Sequence, residues 1–344
     1  MRRLVVDLRS TSDAFRLPDE VADQIRAATP AGWETVVVRE DNDALDGTPR
    51  GPGAEAMAAV AEAEIYFGWG MPASLFQAAR KLCWVQSALA GTGALLALPE
   101  MRDGPCLFTN AAGIFGPPIA EHVLAGVLHL TRALDLAESL RAERRWDQAA
   151  FGTAAAMVRE IGELRVLVVG TGGLGSEIGA RFTALGAQVS GLRRDPAKGC
   201  PPGFARVAGL ESLESELAVA DVVVLAAALT AETRNLLDAR RLALLPPGAI
   251  VVNVSRGTML DEEALRAALE AGRLRGAVLD VFTREPLAPE SALWQLRQVV
   301  VTPHVSGVSP RRLWDRLAAL FLGNWQAYLE RRPLRNLVDK AIGY

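Results

Sequence analysis

Three short polar islands carry the residues best suited to chemistry: Asn253-Val254-Ser255-Arg256-Gly257, Asp280-Val281-Phe282-Thr283-Arg284-Glu285-Pro286 and Thr302-Pro303-His304-Val305-Ser306-Gly307. Each follows an apolar β-type run. Each therefore falls at the carboxyl end of an expected strand, the rim where open α/β sheets gather their ligand groups. Reducing a carbonyl that sits beside a carboxylate needs a cation, a proton donor and a group that tunes the donor. Arg256 offers a guanidinium that binds the carboxylate and polarises the carbonyl. His304 is the expected general acid, and the base in the reverse direction. Glu285, if within hydrogen-bonding reach of that imidazole, would orient it and favour its protonated form. The plain alternatives are an inert turn histidine, a solvated arginine and an ordinary surface glutamate. His122 and His129 lie seven residues apart on one expected helix face, and packing or an interdomain contact accounts for them. No spacing of histidine, cysteine or carboxylate suits a metal ion, so none is expected.

A second feature binds rather than reacts. The apolar run 164–169 leads into Gly170-Thr171-Gly172-Gly173-Leu174-Gly175, and a helix-like stretch covers 176–185. This is G-x-G-x-x-G directly after a strand and opening a helix, the context that dinucleotide binding requires. Gly170 permits the tight turn, Gly172 lets a pyrophosphate approach the backbone, and Gly175 allows helix and strand to pack closely. The helix start presents free N–H groups to the phosphates. The next strand, 188–192, ends in Arg193-Arg194, where an NAD-preferring enzyme would show Asp or Glu for the ribose hydroxyls. Arginine donors suit a 2′-phosphate, each charge-assisted bond contributing roughly 1.5–3 kcal/mol, enough for a tenfold preference. NADP(H) is therefore favoured and NAD(H) remains possible, since Asp195 could serve the ribose and Arg193 could merely stack on adenine.

These groups need a frame. The chain has 344 residues, 50% of them apolar, which fits two domains with cores of their own. Strands are expected at 4–8, 34–38, 65–68, 82–86 and 107–109, with helices over 20–28 and 55–62 between them. A second series runs through 164–169, 188–192, 222–226, 250–254, 276–281 and 298–302. The alternation implies α/β architecture: two doubly wound parallel-sheet domains, Rossmann- or flavodoxin-like, with an active-site cleft between them. One long helix over 119–145, opened by Pro117-Pro118, enters the second domain, and a helix over 310–330 returns to the first. The expected division is 1–109 with 310–344 as substrate domain and 110–309 as nucleotide-binding domain.

The net charge of -3 gives no field that attracts nucleic acid or an anionic membrane. Cys83, Cys106 and Cys200 form no C-x-x-C pair and suit a reducing compartment. With no cleavable apolar leader and no stretch apolar enough to span a bilayer, the expected location is cytoplasmic.

Taken together the motifs resemble the D-isomer-specific 2-hydroxyacid dehydrogenase family over nearly the whole chain. Carrying the resemblance are Trp84-Val85-Gln86-Ser87-Ala88-Leu89-Ala90-Gly91, Asn110, Pro118-Ile119-Ala120-Glu121-His122, the glycine turn and Leu229-Thr230-Ala231-Glu232-Thr233. The three polar islands and the tail Arg332-Pro333-Leu334-Arg335-Asn336-Leu337-Val338-Asp339 with Gly343-Tyr344 complete it. It implies catalysis by Arg256, Glu285 and His304. Asp280 and the backbone near Ser255 would hold the nicotinamide amide, Ser306 and Gly307 would lie beside the ring, and Thr233 would belong to the cofactor site. The backbone of Ala90 and Gly91 would take the substrate carboxylate, with Trp69, Met71 and Leu89 as pocket residues. It also implies a homodimer built through the long helix and the arm near Arg145-Trp146.

Departures from the family pattern are Thr92-Gly93 where an aspartate is usual, Ala228 and Ala231 in place of prolines, and Arg193 in place of an acid. The implied activity is NAD(P)H-dependent reduction of small 2-keto acids, with glyoxylate and hydroxypyruvate favoured by the NADPH preference. The alternatives are a bulkier keto acid with NADH, a small-anion dehydrogenase such as one acting on phosphite, and a catalytically silent nucleotide-binding regulator.

Overall fold

The computed structural model describes residues 1–40, 52–341 and 343; Tyr344 lies outside the described residues. It divides into one unit of Met1–Phe115 with Val308–Tyr344 and a second of Gly116–Gly307. These limits differ from the expected ones in that residues 110–115 and 308–309 go with the first unit.

The first unit opens with β1 (Arg2–Asp7), α1 (Asp19–Ala27), β2 (Trp33–Val37), α2 (Ala54–Val60), β3 (Ile65–Gly68) and α3 (Ala73–Ala78). Then come β4 (Trp84–Ser87), α4 (Gly93–Leu96), α5 (Pro99–Asp103) and β5 (Leu107–Thr109). The strands pair in parallel in the order β2-β1-β3-β4-β5, the flavodoxin-type order.

The second unit holds α6 (Gly116–Thr131), α7 (Leu134–Ala142), β6 (Arg165–Val169), α8 (Gly173–Ala184), β7 (Gln188–Leu192), β8 (Arg206–Ala208) and α9 (Leu213–Leu217). It continues with β9 (Val222–Leu225), α10 (Ala239–Leu242), β10 (Ala249–Asn253), α11 (Glu262–Glu270), β11 (Leu274–Leu279) and β12 (Val299–Val301). Its parallel sheet runs β12-β11-β10-β9-β6-β7-β8, so chain order reverses between β6 and β9 and makes a switch point there. Finally α12 (Pro310–Leu329) belongs to the first unit. Its Phe321 stacks on Phe67 at 4.2 Å.

The strands of the second sheet are mainly apolar, β9 reading VVVL over Val222–Leu225 and β12 reading VVV, as expected of a parallel sheet with helices on its faces. Val166 and Val168 join the layer that includes Val123 and Val127 of α6, while Leu167 and Val169 join the opposite layer with Leu265 and Leu269 of α11. β8 was not foreseen. It is a three-residue edge strand paired only with β7, too short to show a period.

The helix expected over 119–145 is two helices, α6 and α7, broken at Ala133, which has φ +53. A buried ion pair spans the break. Arg275 of β11 donates to both oxygens of Asp135 at 2.5 and 3.0 Å and to the carbonyl of Leu130 at 2.7 Å. One guanidinium thus holds the end of α6 and the start of α7 together.

Candidate active site

The register places Asn253 opposite Leu279 and Leu279 opposite Val301. The carboxyl ends of β10, β11 and β12 therefore form one rim, and Arg256, Glu285 and His304 follow those ends in turn. In the first rim loop, buried Asn253 accepts from Ser255 N at 3.1 Å and donates from Nδ2 to the Arg256 carbonyl at 3.0 Å. The Ser255 hydroxyl donates to the Leu225 carbonyl at 3.0 Å, tying this loop to β9. Arg256 is exposed, with Nη1 donating to the Ser255 carbonyl at 2.6 Å. Gly257 packs directly on the second loop: a Cβ there would come within 1.8 Å of the Phe282 carbonyl carbon. Motif reading gave Gly257 no role, since nothing local marks a contact with residue 282.

His304 Nδ1 lies 2.8 Å from Glu285 Oε2, and Glu285 Oε1 accepts from Phe282 N at 3.0 Å. A carboxylate only accepts, so Nδ1 carries the hydrogen. Nε2 is then the nitrogen that gives and takes a proton at a ligand, which is the arrangement a general acid–base requires. Both side chains keep solvent-accessible surface, 52% for His304 and 38% for Glu285. His304 has φ +55, a left-handed conformation that histidine adopts more readily than most residues and that marks strain held at a functional site.

Across the switch point, Gly170 has φ +99 and Gly175 is pressed onto it, a Cβ on Gly175 meeting the Gly170 carbonyl oxygen at 1.8 Å. A Cβ on Gly172 would meet nothing within 4 Å, so the backbone there is open to a ligand. Gly173 and Leu174 form the first turn of α8, and the hydroxyl of Thr171 beside them is buried without a hydrogen-bond partner. Open backbone, a helix start and an unmatched hydroxyl together fit a pyrophosphate.

At the end of β7, Arg193 is half-buried, and among the described residues its guanidinium donates only to the Gly199 carbonyl, at 3.3 Å. Arg194 is drawn towards Glu232 at 3.5 Å. Asp195 caps the turn after it, accepting from Ala197 N at 3.1 Å, which turns its carboxylate to its own backbone.

A family model for the NAD binding domain of the D-isomer specific 2-hydroxyacid dehydrogenases matches residues 124–306, more than half of the chain. The chain belongs to this family. Glyoxylate/hydroxypyruvate reductase A of Salmonella newport (strain SL254) is 32% identical over 283 residues, 80% of this chain and 86% of that protein. The family member of Xanthobacter autotrophicus Py2, solved with NADPH and MES, is 31% identical with a TM-score of 0.79, covering 100% of this chain and 99% of the other. An NADPH-dependent glyoxylate/hydroxypyruvate reductase of Sinorhizobium meliloti, solved with NADP and sulfate, is 26% identical with a TM-score of 0.79 over 100% of both chains.

Other expected residues of this dehydrogenase fold have different surroundings from those foreseen. Asp280, expected at the nicotinamide amide, is 1% exposed. Its carboxylate accepts from the Thr302 hydroxyl at 2.6 Å, Val305 N at 2.9 Å and Ser306 N at 3.0 Å, so it clamps the His304 loop from beneath. Ser306 is buried by that bond, and Gly307 ends the unit. The Thr233 hydroxyl closes its own turn, accepting from Thr230 N at 2.7 Å and donating to the Ala228 carbonyl at 2.8 Å.

In the first unit, Trp69 is a core residue rather than a pocket residue. It is fully buried, bonded through Nε1 to the Leu8 carbonyl and packed edge-on against Phe15 and Trp314. Met71 is likewise buried in the core. Leu89 stays half-buried, while Ala90 and Gly91 are exposed. The Asn110 amide donates to the Ala90 carbonyl at 2.9 Å and holds that loop. Among the described residues nothing bonds the backbone N–H groups of Ala90 and Gly91. No group of three His, Cys, Asp or Glu among the described residues could hold a metal ion, and no described helix is long and apolar enough to cross a membrane.

Proposed function

We propose that this protein reduces small 2-keto acids, glyoxylate and hydroxypyruvate foremost, to 2-hydroxy acids with NADPH. The observation that carries the reading is the His304 Nδ1–Glu285 Oε2 contact at 2.8 Å, on the β9–β12 side of the switch point. A dinucleotide held by the glycine turn would extend across the switch point to that side. Bound NADPH supplies the hydride. His304 Nε2 gives its proton to the carbonyl oxygen, and Glu285 steadies the imidazolium before that transfer. Arg256 holds the substrate carboxylate and opposes the charge that grows on oxygen. The backbone near Ser255 would hold the nicotinamide amide, and Ser306 and Gly307 would line the ring's site.

Arg193 is the selector for the 2′-phosphate in this reading, supported by its sparse bonding and by the capping role of Asp195. Absorbance at 340 nm, followed with NADPH or NADH against glyoxylate, hydroxypyruvate, phenylpyruvate and 2-ketoisocaproate, tests both points. Faster NADPH oxidation with the two small acids is expected. Arg193→Ala should raise the KM for NADPH about tenfold, as loss of one charge-assisted bond implies, and leave that for NADH unchanged. Tight NADPH binding with no turnover on any keto acid would overturn the reading.

The working form is a cytoplasmic homodimer joined through α6, α7 and the arm that follows. Trp146, 90% exposed in the single chain, is the side chain a second copy would cover. A monomeric mass by light scattering would remove that part.

A further inference from the structure

The His304 loop is held by more than Glu285. Nε2 of His122, in the second turn of α6, lies 3.2 Å from Thr302 Oγ1. That hydroxyl has one hydrogen, and it goes to Asp280 Oδ1 at 2.6 Å. Thr302 must therefore accept from His122, and Nε2 of His122 must carry a hydrogen. The relay continues outward from Asp280. The carboxylate takes the N–H groups of Val305 and Ser306, and the Asp280 carbonyl takes His304 N at 2.9 Å. The N–H groups of His304, Val305 and Ser306 thus all reach Asp280, that of His304 shared with the Thr302 carbonyl at 3.0 Å, and the Asp280 carboxylate is itself oriented through Thr302 by His122.

We propose that His122 is a positioning residue for His304. It acts through Thr302 and Asp280 and touches no reacting atom. Without its donor the Thr302 hydroxyl is free to rotate, and one of the bonds that orient Asp280 loosens. The loop can then relax away from φ +55 and carry the imidazole off Glu285. Hydrogen-bonded chains of this kind strengthen one another, so losing the first member is felt at the last. The inference rests on the reductase reading only for its effect on turnover.

Two variants separate a donor from mere bulk. His122→Phe keeps an aromatic ring and removes the N–H, whereas His122→Gln places an amide N–H at similar reach. His122→Phe should lower kcat about tenfold, since small misplacements of a reacting group are costly, with the KM for NADPH unchanged. His122→Gln should recover most of the loss. Amide hydrogen exchange at Val305 and Ser306 reads the loop without any turnover. It should quicken about tenfold in His122→Phe, stay near wild type in His122→Gln, and be matched by Thr302→Val, which removes the hydroxyl at nearly constant volume. Wild-type kcat and exchange in His122→Phe would overturn the proposal, as would a Gln variant as impaired as the Phe variant. If the wild-type protein turned over no keto acid, the reductase reading would fall while the exchange rates still decided the relay. If His122→Phe failed to fold, unchanged loop exchange in Thr302→Val would overturn it alone.

Discussion

His304→Asn should lower kcat for keto acid reduction at least a hundredfold while leaving the Kd for NADPH within about twofold, because a general acid contributes on the order of 10²–10⁴ in rate. Asparagine is the better probe than alanine. The backbone here is left-handed, with φ +55, a region asparagine tolerates and alanine enters at a cost of roughly 1–2 kcal/mol. A loss with His304→Asn then reports the missing imidazole rather than a relaxed loop. Stopped-flow kinetics with fluorescence titration of NADPH separates the two parameters. Turnover near the wild-type value would remove His304 from the mechanism, and a large loss of cofactor affinity would instead point to a collapsed loop.

Arg275→Met should destabilise the protein by about 3–5 kcal/mol, the usual consequence of leaving one member of a buried ion pair alone. The side chains of Arg275 and Asp135 are only 9% and 2% exposed, so water cannot replace the missing partner. For a unit of this size the loss corresponds to a fall in Tm of about 10 °C. The double variant Arg275→Met with Asp135→Leu should regain much of it, since neither charge is then stranded. Differential scanning calorimetry on the wild type and the three variants forms the complete cycle. A single variant melting with the wild type would mean that packing alone sets the break between α6 and α7.

Much of the fold was legible because its signals are local. Most strands of the second sheet read as short, mainly apolar runs, and β7 runs over the residues expected for it. The glycine turn was legible because its spacing answers a steric demand within six residues: Gly170 at positive φ and Gly175 against its carbonyl. Arg256, Glu285 and His304 stood out because charged residues directly after apolar strands can only lie at the sheet rim.

Partners distant in the chain were not legible. Helical periodicity over 119–145 gave no warning of the break at Ala133, and Arg275, which ties its two sides together, lies 140 residues from Asp135. Trp69 and Met71 look alike whether they line a pocket or fill a core, and only the packing of Phe15, Leu8 and Trp314 decided for the core with Trp69. Asp280 and His122 were assigned from motif and helix face, yet a threonine 180 residues from His122 joins them into one clamp. Composition and period determined where the apolar strands run and which residues follow them at the rim, because those signals lie in neighbouring side chains. Which buried polar group answers which was left to the tertiary structure, because a hydrogen bond needs a partner in space and neighbours along the chain do not name it.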